Sequence, residues 1–308
     1  MNPLVTTDAH CDTLYEMTLK GRKFEDCQIT PQRLRAGNIS LQTFAMFTSY
    51  RTGYPYEDGL AMKATFKRLP IPQLCGQLPE EMPVEPTAIL ACEGGEMLKG
   101  DLNVLAEFDD DVRLRLLTLT WNFENEIGTA AKVNATDGLK PFGVELLAEM
   151  DRRGICPDVS HLNEAGFWDV IKHAKLPPVA SHSNCRWLCD VPRNLWKDQV
   201  QAIIERGGFI GVNFYSDFLA KDGKATLEDV LRNIDEICAL GGEDVVGFGS
   251  DFDGIDVWPE GLDHSGKLPE LLELLRKRGY TQEQLEKIAG RNYWRVLKTA
   301  ERMSGRYE

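Results

Sequence analysis

The stretch Leu4-Val5-Thr6-Thr7-Asp8-Ala9-His10-Cys11-Asp12-Thr13 decides the fold. Its apolar part, Leu4 to Ala9, reads as the first strand of an α/β chain, and the turn after that strand separates the two large α/β architectures. A doubly wound open sheet carries a glycine-rich phosphate-binding turn at this place. Here the turn is His10-Cys11-Asp12-Thr13 instead. Residues i and i+2 of a strand point the same way, so the spacing sets the His10 imidazole and the Asp12 carboxylate on one side of a sheet. Imidazole nitrogen and carboxylate oxygen at strand ends are the donors that zinc-type ions take in catalytic sites.

Outward from this stretch, short apolar runs alternate with segments of helical period, the sequence form of repeated βα units. The runs are Leu4 to Ala9, Ile39 to Phe47, Ala88 to Cys92, Leu114 to Trp121, Ile155 to Ser160, Pro178 to Ser181, Phe209 to Phe214 and Val245 to Gly249. Several are nearly continuous in apolar content, as strands covered on both faces should be. Phe142 to Arg153, Glu164 to Ala174, Asp198 to Arg206, Leu227 to Leu240 and Leu268 to Arg278 place apolar residues three or four apart and are expected helices. Thr281 with Gln284 forms a capping box that opens one more. Eight such units in 308 residues predict a (β/α)8 TIM-type barrel, one domain over residues 1–308. Two polar or proline-rich stretches, Ser49 to Asp58 and Pro70 to Pro86, are expected as loop insertions on its rim.

Bulk properties narrow the function. A net charge of −13 repels phosphates and anionic lipid alike, which argues against nucleic acid and membrane partners. No apolar run reaches 18 residues and no signal peptide precedes the first strand, so a cytoplasmic location is expected. The eight cysteines contain no CxxC pair and read as reduced, small buried residues; Cys185 and Cys189 are spaced like helix neighbours.

Barrel enzymes place their chemistry at the C-terminal ends of the strands. His10 and Asp12 end the first run, Glu93 the third, His161 the fifth, His182 the sixth and Asp251 the eighth. Three of the five histidines fall at these ends, whereas His173 and His264 read as surface residues. Taken singly, a histidine at a strand end is more often a hydrogen-bonded structural residue than a ligand; six donors together point to metal. Asp251 and Asp253 are not separated by spacing, and Asp253-Gly254 also reads as a turn. One glutamate among four other donors suggests a bridge between two ions, with His10 and Asp12 on one and His161 and His182 on the other.

Read together, these residues show that the chain resembles the membrane (renal-type) dipeptidase family of zinc peptidases, a branch of the amidohydrolase-like barrels. The resemblance runs over nearly the full length. It is carried by Asp8-Ala9-His10-Cys11-Asp12, Glu93-Gly94-Gly95, Leu117-Thr118-Leu119-Thr120, Gly138-Leu139-Lys140-Pro141-Phe142-Gly143, Asp158-Val159-Ser160-His161, Ser181-His182-Ser183, Pro192-Arg193-Asn194, Val212-Asn213-Phe214, Gly249-Ser250-Asp251-Phe252-Asp253-Gly254 and Gly290-Arg291-Asn292. It implies a binuclear Zn2+ site in which Glu93 bridges the His10–Asp12 ion and the His161–His182 ion; manganese or cobalt suits the same donors. It also implies that Asp251 handles protons, that Arg193 receives the terminal carboxylate of a small dipeptide, and that Tyr215 lines the dipeptide pocket. Relatives commonly tolerate a D-residue on the carboxyl side.

One position departs from the family. Where many relatives place a histidine thought to steady the tetrahedral intermediate, this chain has Trp121, followed by Asn122 and Asn125. An indole N–H donates one hydrogen bond but carries no charge, so oxyanion stabilisation falls to metal or to asparagine. The expected activity is hydrolysis of a short peptide bond by a metal-activated water. The rival readings are another binuclear amidohydrolase-like enzyme, acting on a lactone, cyclic amide, phosphoester or N-acyl-amino acid, a catalytically silent metal-binding barrel, and a metal-free sugar-phosphate barrel. Oligomeric state is not legible, and a homodimer is the assembly such barrels commonly form.

Overall fold

The computed structural model describes residues 4–307. Eight strands lie side by side in chain order: β1 Thr6–Asp8, β2 Ile39–Phe47, β3 Thr87–Glu93, β4 Leu114–Thr118, β5 Cys156–Asp158, β6 Val179–Ala180, β7 Phe209–Val212 and β8 Val246–Phe248. Every neighbouring pair is parallel. The sheet closes through residues just past its outer strands, where Ala9 N donates to Phe248 O at 3.0 Å and Cys11 bridges Phe252 in parallel. The result is the expected (β/α)8 barrel, although most of its strands are shorter than the apolar runs that contain them. Among the described residues no helix is long and apolar enough to cross a membrane.

The strands read as unbroken apolar runs because both of their faces are covered. Eight of the nine β2 residues are buried. Outward residues such as Phe44, Leu90, Ile210 and Phe248 pack with the surrounding helices. Leu41, Ile89, Ala91, Leu116, Cys156, Val179 and Phe209 fill the barrel itself. The last helix, Asn292–Ser304, plugs the N-terminal end, where the fully buried Tyr293 meets Thr43 Oγ1 at 2.7 Å. The expected helices appear as Pro141–Arg153, Glu164–His173, Lys197–Glu205, Leu227–Ala239 and Leu268–Lys277. The Thr281–Gln284 capping box is present, with both reciprocal bonds made.

Several local expectations are corrected. The strand carrying Asp8 stops before His10, so His10 and Asp12 are not strand neighbours; Asp12 is the N-cap of the helix Thr13–Thr18. The stretch Ser49 to Asp58 is half loop, because the helix Pro55–Phe66 begins inside it with proline in its first turn. The proline-rich segment 70–86 lies at the N-terminal end of the barrel, where Leu78 N is held by the Glu301 carboxylate at 2.9 Å. Cys185 and Cys189 sit in a turn rather than a helix, and Cys75 is exposed.

Candidate metal centre and active site

Strand alternation delivers the centre of the site. Ile89 and Ala91 face the barrel interior, and the next residue on that face is Glu93, the last of β3. Its two oxygens part between two groups of donors. Glu93 Oε2 lies 3.3 Å from His10 Nε2, while Glu93 Oε1 lies 3.0 Å from His161 Nε2 and 3.6 Å from His182 Nε2. Asp12 Oδ2 and Asp251 Oδ1 approach the same His10 nitrogen at 3.8 and 3.9 Å. All five expected ligands and Asp251 therefore converge, each of them at least nine-tenths buried.

The protonation of the two rear histidines follows from their other ring nitrogens. His161 Nδ1 is 3.0 Å from Asn122 Oδ1, an acceptor, so Nδ1 carries the hydrogen. Ser181 Oγ donates to the Asp158 carboxylate at 2.5 Å and accepts from His182 Nδ1 at 2.7 Å. Both Nε2 atoms are thereby left with lone pairs, and they lie 3.0 Å apart beside a carboxylate oxygen. Two lone pairs and an anion at that distance repel unless a cation sits among them.

The charges agree with this. Burial pulls His161 down to about 3, aided by the Arg193 charge, and takes His182 well below the usual histidine range. Burial and the neighbouring Glu93 push Asp12 well up, and the same two causes push Asp251 up to about 6. Burial opposes protonation of His10, yet the Glu93 and Asp12 carboxylates outweigh it and hold that imidazole well above its ordinary value. His10 in turn draws Glu93 well below the carboxylate range against the effect of burial. Three buried carboxylates thus compete for one imidazolium. Among the described residues, His10 Nε2, Asp12 Oδ1 and Glu93 Oε2 are buried with no hydrogen-bond partner. Orphaned donors of these types, in a set of imidazoles and carboxylates, fit a first-row divalent metal.

Backbone geometry separates the two aspartates that sequence spacing leaves paired. Asp251 adopts φ +63° and Asp253 φ +67°, a left-handed pair that turns their side chains to different places. Asp251 faces the cluster, its Oδ2 held at 2.9 Å by Asn213 Nδ2. Asp253 faces away and accepts from Thr13 Oγ1 at 2.6 Å and Gln28 N at 2.7 Å, which ties the loop before residue 30 to the barrel. His161 is also left-handed, at φ +68°, and its carbonyl accepts from Ala131 N at 2.8 Å. Such conformations cost a non-glycine residue roughly 1–3 kcal/mol and persist where surroundings over-determine them.

A cavity of about 840 Å³ opens on this cluster, lined by Glu93, Trp121, His161, Tyr215 and Asp251 among others. Trp121 packs its ring on Phe47 at 4.8 Å and stands 6.3 Å from the His161 ring. Tyr215 also lines the cavity, with its ring against Phe218. Arg193 is buried behind them, its Nη2 3.4 Å from His182 O, its Nε without a partner, and its guanidinium over the Phe218 ring. Asn125 is turned away from the donor cluster; its amide staples the loop by bonding Leu119 O, Ile127 N and Gly128 N. His173 is exposed, and His264 lies in a turn where it accepts from Gly266 N.

Sequence reasoning missed Asp158 and Asp8. Asp158 ends β5 facing inward and gathers Thr118 Oγ1, Ser181 Oγ, Ser160 N and Ser181 N. Asp8 ends β1 and binds Ser250 N at 2.8 Å and Ser250 Oγ at 2.6 Å, beside Asp251. The available signal was an acidic residue at the last inward position of an apolar strand, two or three residues before a ligand.

An eight-stranded barrel whose C-terminal rim gathers imidazoles and carboxylates in this way defines a metal-dependent enzyme of the amidohydrolase-like class. The chain belongs to the membrane dipeptidase family, peptidase family M19, whose family model matches residues 84–308. It is similar to an uncharacterised dipeptidase of Schizosaccharomyces pombe, 35% identical over 219 residues that make up 69% of this chain and 52% of the relative. The chain thus spans about half the length of that relative. Among solved structures it is similar to a dipeptidase described as a family M19 metallopeptidase, with TM-score 0.87 and 26% identity over 97% of this chain and 99% of the other. A metallopeptidase from Rhodobacter sphaeroides, solved with a phosphinate mimic of L-Ala-D-Ala, gives TM-score 0.84 and 26% identity over 97% of this chain and all of the other.

Proposed function

We propose that this chain hydrolyses dipeptides at a centre of two divalent cations, zinc in the first instance. The observation that carries the reading is Glu93: its two oxygens face two separate donor groups, His10 with Asp12 and His161 with His182. A carboxylate split in this way is suited to bridging two ions. When bound, such ions lower the pKa of a water and polarise the scissile carbonyl.

The chain's own residues supply the rest. Asn213 holds Asp251 Oδ2, which leaves Oδ1 turned toward the cluster. In that position Asp251 takes a proton from the attacking water and returns it to the leaving amine. Arg193 offers the terminal carboxylate a guanidinium whose Nε has no partner among the described residues, and a planar fork suits a carboxylate. Tyr215 and Trp121 form the cavity walls between which the two residues lie. Trp121 is held edge-on between Phe47 and Phe123, which fixes its ring beside His161. The phosphinate complex of the Rhodobacter relative supports a dipeptide substrate, including one with a D-residue at its carboxyl end. The eight cysteines are free thiols, in keeping with a reducing, cytoplasmic setting.

The deciding experiment measures metal content and turnover of a panel of L,L and L,D dipeptides together with lactones and N-acyl-amino acids. About two metal equivalents with dipeptide turnover abolished by chelation is the expected result. One equivalent, or turnover confined to lactones or acyl-amino acids, overturns the reading.

A further inference from the structure

We propose that the cavity holds a second anion subsite, formed by Arg51 and Lys132, and that the preferred substrates are dipeptides with an acidic side chain on the carboxyl-terminal residue. The inference rests on the dipeptide reading above and names its substrate class.

The chain has 48 acidic against 35 basic residues, and surface cations such as Lys67, Lys140, Arg152 and Arg276 pair with carboxylates. Others such as Arg35, Arg68 and Lys172 stand on the outer surface without an ion pair among the described residues. Arg51 and Lys132 differ from the latter in their place. Arg51 and Lys132 both line the cavity, on the loops that follow β2 and β4. Among the described residues neither head group forms an ion pair or a hydrogen bond. The Arg51 guanidinium instead lies over the Phe123 ring, 4.9 Å from its centroid. That contact fixes its place at the cavity edge without neutralising it. Lys132 follows Ala131, whose N–H is tied to His161 O at 2.8 Å, so its backbone is anchored beside a metal ligand. Partial burial, and then the like charges of Arg193 and Arg51, draw the Lys132 ammonium below the usual lysine range. Arg51 and Lys132 therefore put two cations on the cavity lining, with the Arg193 guanidinium buried behind it against His182 O.

The lining also carries Glu16, Asp253 and Asp256. Two of these are engaged: Glu16 pairs with Arg22 at 3.5 Å, and Asp253 is held by Thr13 and Gln28. These acidic groups come from the segments after β1 and β8, and the two unpaired cations from the loops after β2 and β4. A single terminal carboxylate satisfies Arg193 and leaves Arg51 and Lys132 uncompensated. Lys132 and Arg193 are both placed against the His161–His182 pair, the first through Ala131 N on His161 O and the second through Nη2 on His182 O, so the second anion belongs on the same residue as the terminal carboxylate. A cavity of about 840 Å³ has room for a glutamate side chain there.

The test compares Ala-Glu with Ala-Gln, which match in size and differ in charge, each with an L or a D second residue. Both kcat/KM and the calorimetric Kd are measured on the metal-loaded enzyme and on an Arg51→Gln/Lys132→Gln double variant of equal metal content. For the parent enzyme the proposal predicts a preference for Ala-Glu of about tenfold or more, shrinking as salt screens the partly exposed pair. In the double variant the ratio falls to about one. A parent ratio below about twofold, or a preference that survives the double substitution, overturns the proposal. Should no dipeptide be turned over, the hydrolase reading fails, and the Kd ratio still decides the subsite by the same two criteria.

Discussion

Asp158 and His182 are joined through a single hydroxyl: Ser181 Oγ donates to the Asp158 carboxylate and accepts the Nδ1 hydrogen of His182. The direction of both bonds is set by Asp158, which as an anion only accepts. The relay fixes the His182 tautomer and aims its Nε2 lone pair at Glu93. Replacing Asp158 with Asn puts an amide donor within reach of Ser181 and allows the hydroxyl to turn. Losses of 10–100-fold in metal affinity are typical when such supporting groups are removed, and a loss in that range is expected for Asp158→Asn. Competition with a chromophoric chelator measures it, and an affinity within about twofold of the parent would show that the relay does not set the ligand.

Asp251 is the proton carrier in this reading, held by Asn213 and facing His10. Asp251→Asn keeps the size and the Asn213 contact but cannot accept a proton. A fall in kcat of about 100-fold or more is expected, with dipeptide binding much less affected. The pH profile gives a second check. Burial and Glu93 push the Asp251 carboxyl up to about 6; bound cations favour its ionised form and move the value down. The acid limb of kcat/KM therefore lies at or below about pH 6. A variant that retains both the limb and the rate would remove Asp251 from the chemistry.

Much of this was readable in the chain, and the exceptions have identifiable causes. Runs such as Ile39 to Phe47 are apolar throughout because helices cover one face and the barrel interior the other, and their count gave eight strands. Ligands were legible because each stands just past such a run. Barrel closure was not, since it depends on Cys11 meeting Phe252 across the whole length of the chain. Asp158 escaped for a similar reason: its partners Thr118 and Ser181 come from two other strands. Asp251 and Asp253 differ only through left-handed backbone at both. The segment 70–86 could have been assigned to the correct end by connectivity, because it comes after a helix and precedes a strand, which puts it at the N-terminal end of any such barrel.

Glu96 gives a stability prediction with a definite sign. It is fully buried just after the Glu93 strand, and among the described residues neither carboxylate oxygen has a hydrogen-bond partner. Burial pushes it up to about 7 from an ordinary value of 4.5. The folded state then binds more protons than the unfolded state between those values, so this residue's contribution to stability falls as pH rises through that window. Over the whole window the loss is on the order of 3 kcal/mol. Glu96→Gln keeps a neutral side chain at every pH. Urea unfolding of both proteins at pH 5 and pH 8 should show the variant gaining on the parent at pH 8 by a few kcal/mol. Parallel pH dependence in the two proteins would contradict the buried-acid account.

Gly249 ties packing to the site. It lies directly after β8, and a Cβ built on it would stand 1.7 Å from Ser181 O and 2.8 Å from Ser181 C. Gly211, across from it, would place a Cβ 2.1 Å from the same oxygen. The Ser181 carbonyl therefore abuts both glycines with no space for a methyl group on either, and the obstacle is backbone rather than a side chain that could rotate away. Gly249→Ala must displace β6 or β8. Overpacking of a tight core costs typically about 1–3 kcal/mol, so the midpoint of chemical denaturation should fall accordingly. Because the displaced residue carries the Asp158–His182 relay, metal affinity should fall with it. Gly241→Ala is the control: that position has φ +90° but nothing within 4 Å of the added carbon, so it should lose stability through backbone strain alone and keep its metal. If Gly249→Ala bound metal as tightly as the parent while losing stability, the coupling between β-strand spacing and the ligand set would be disproved.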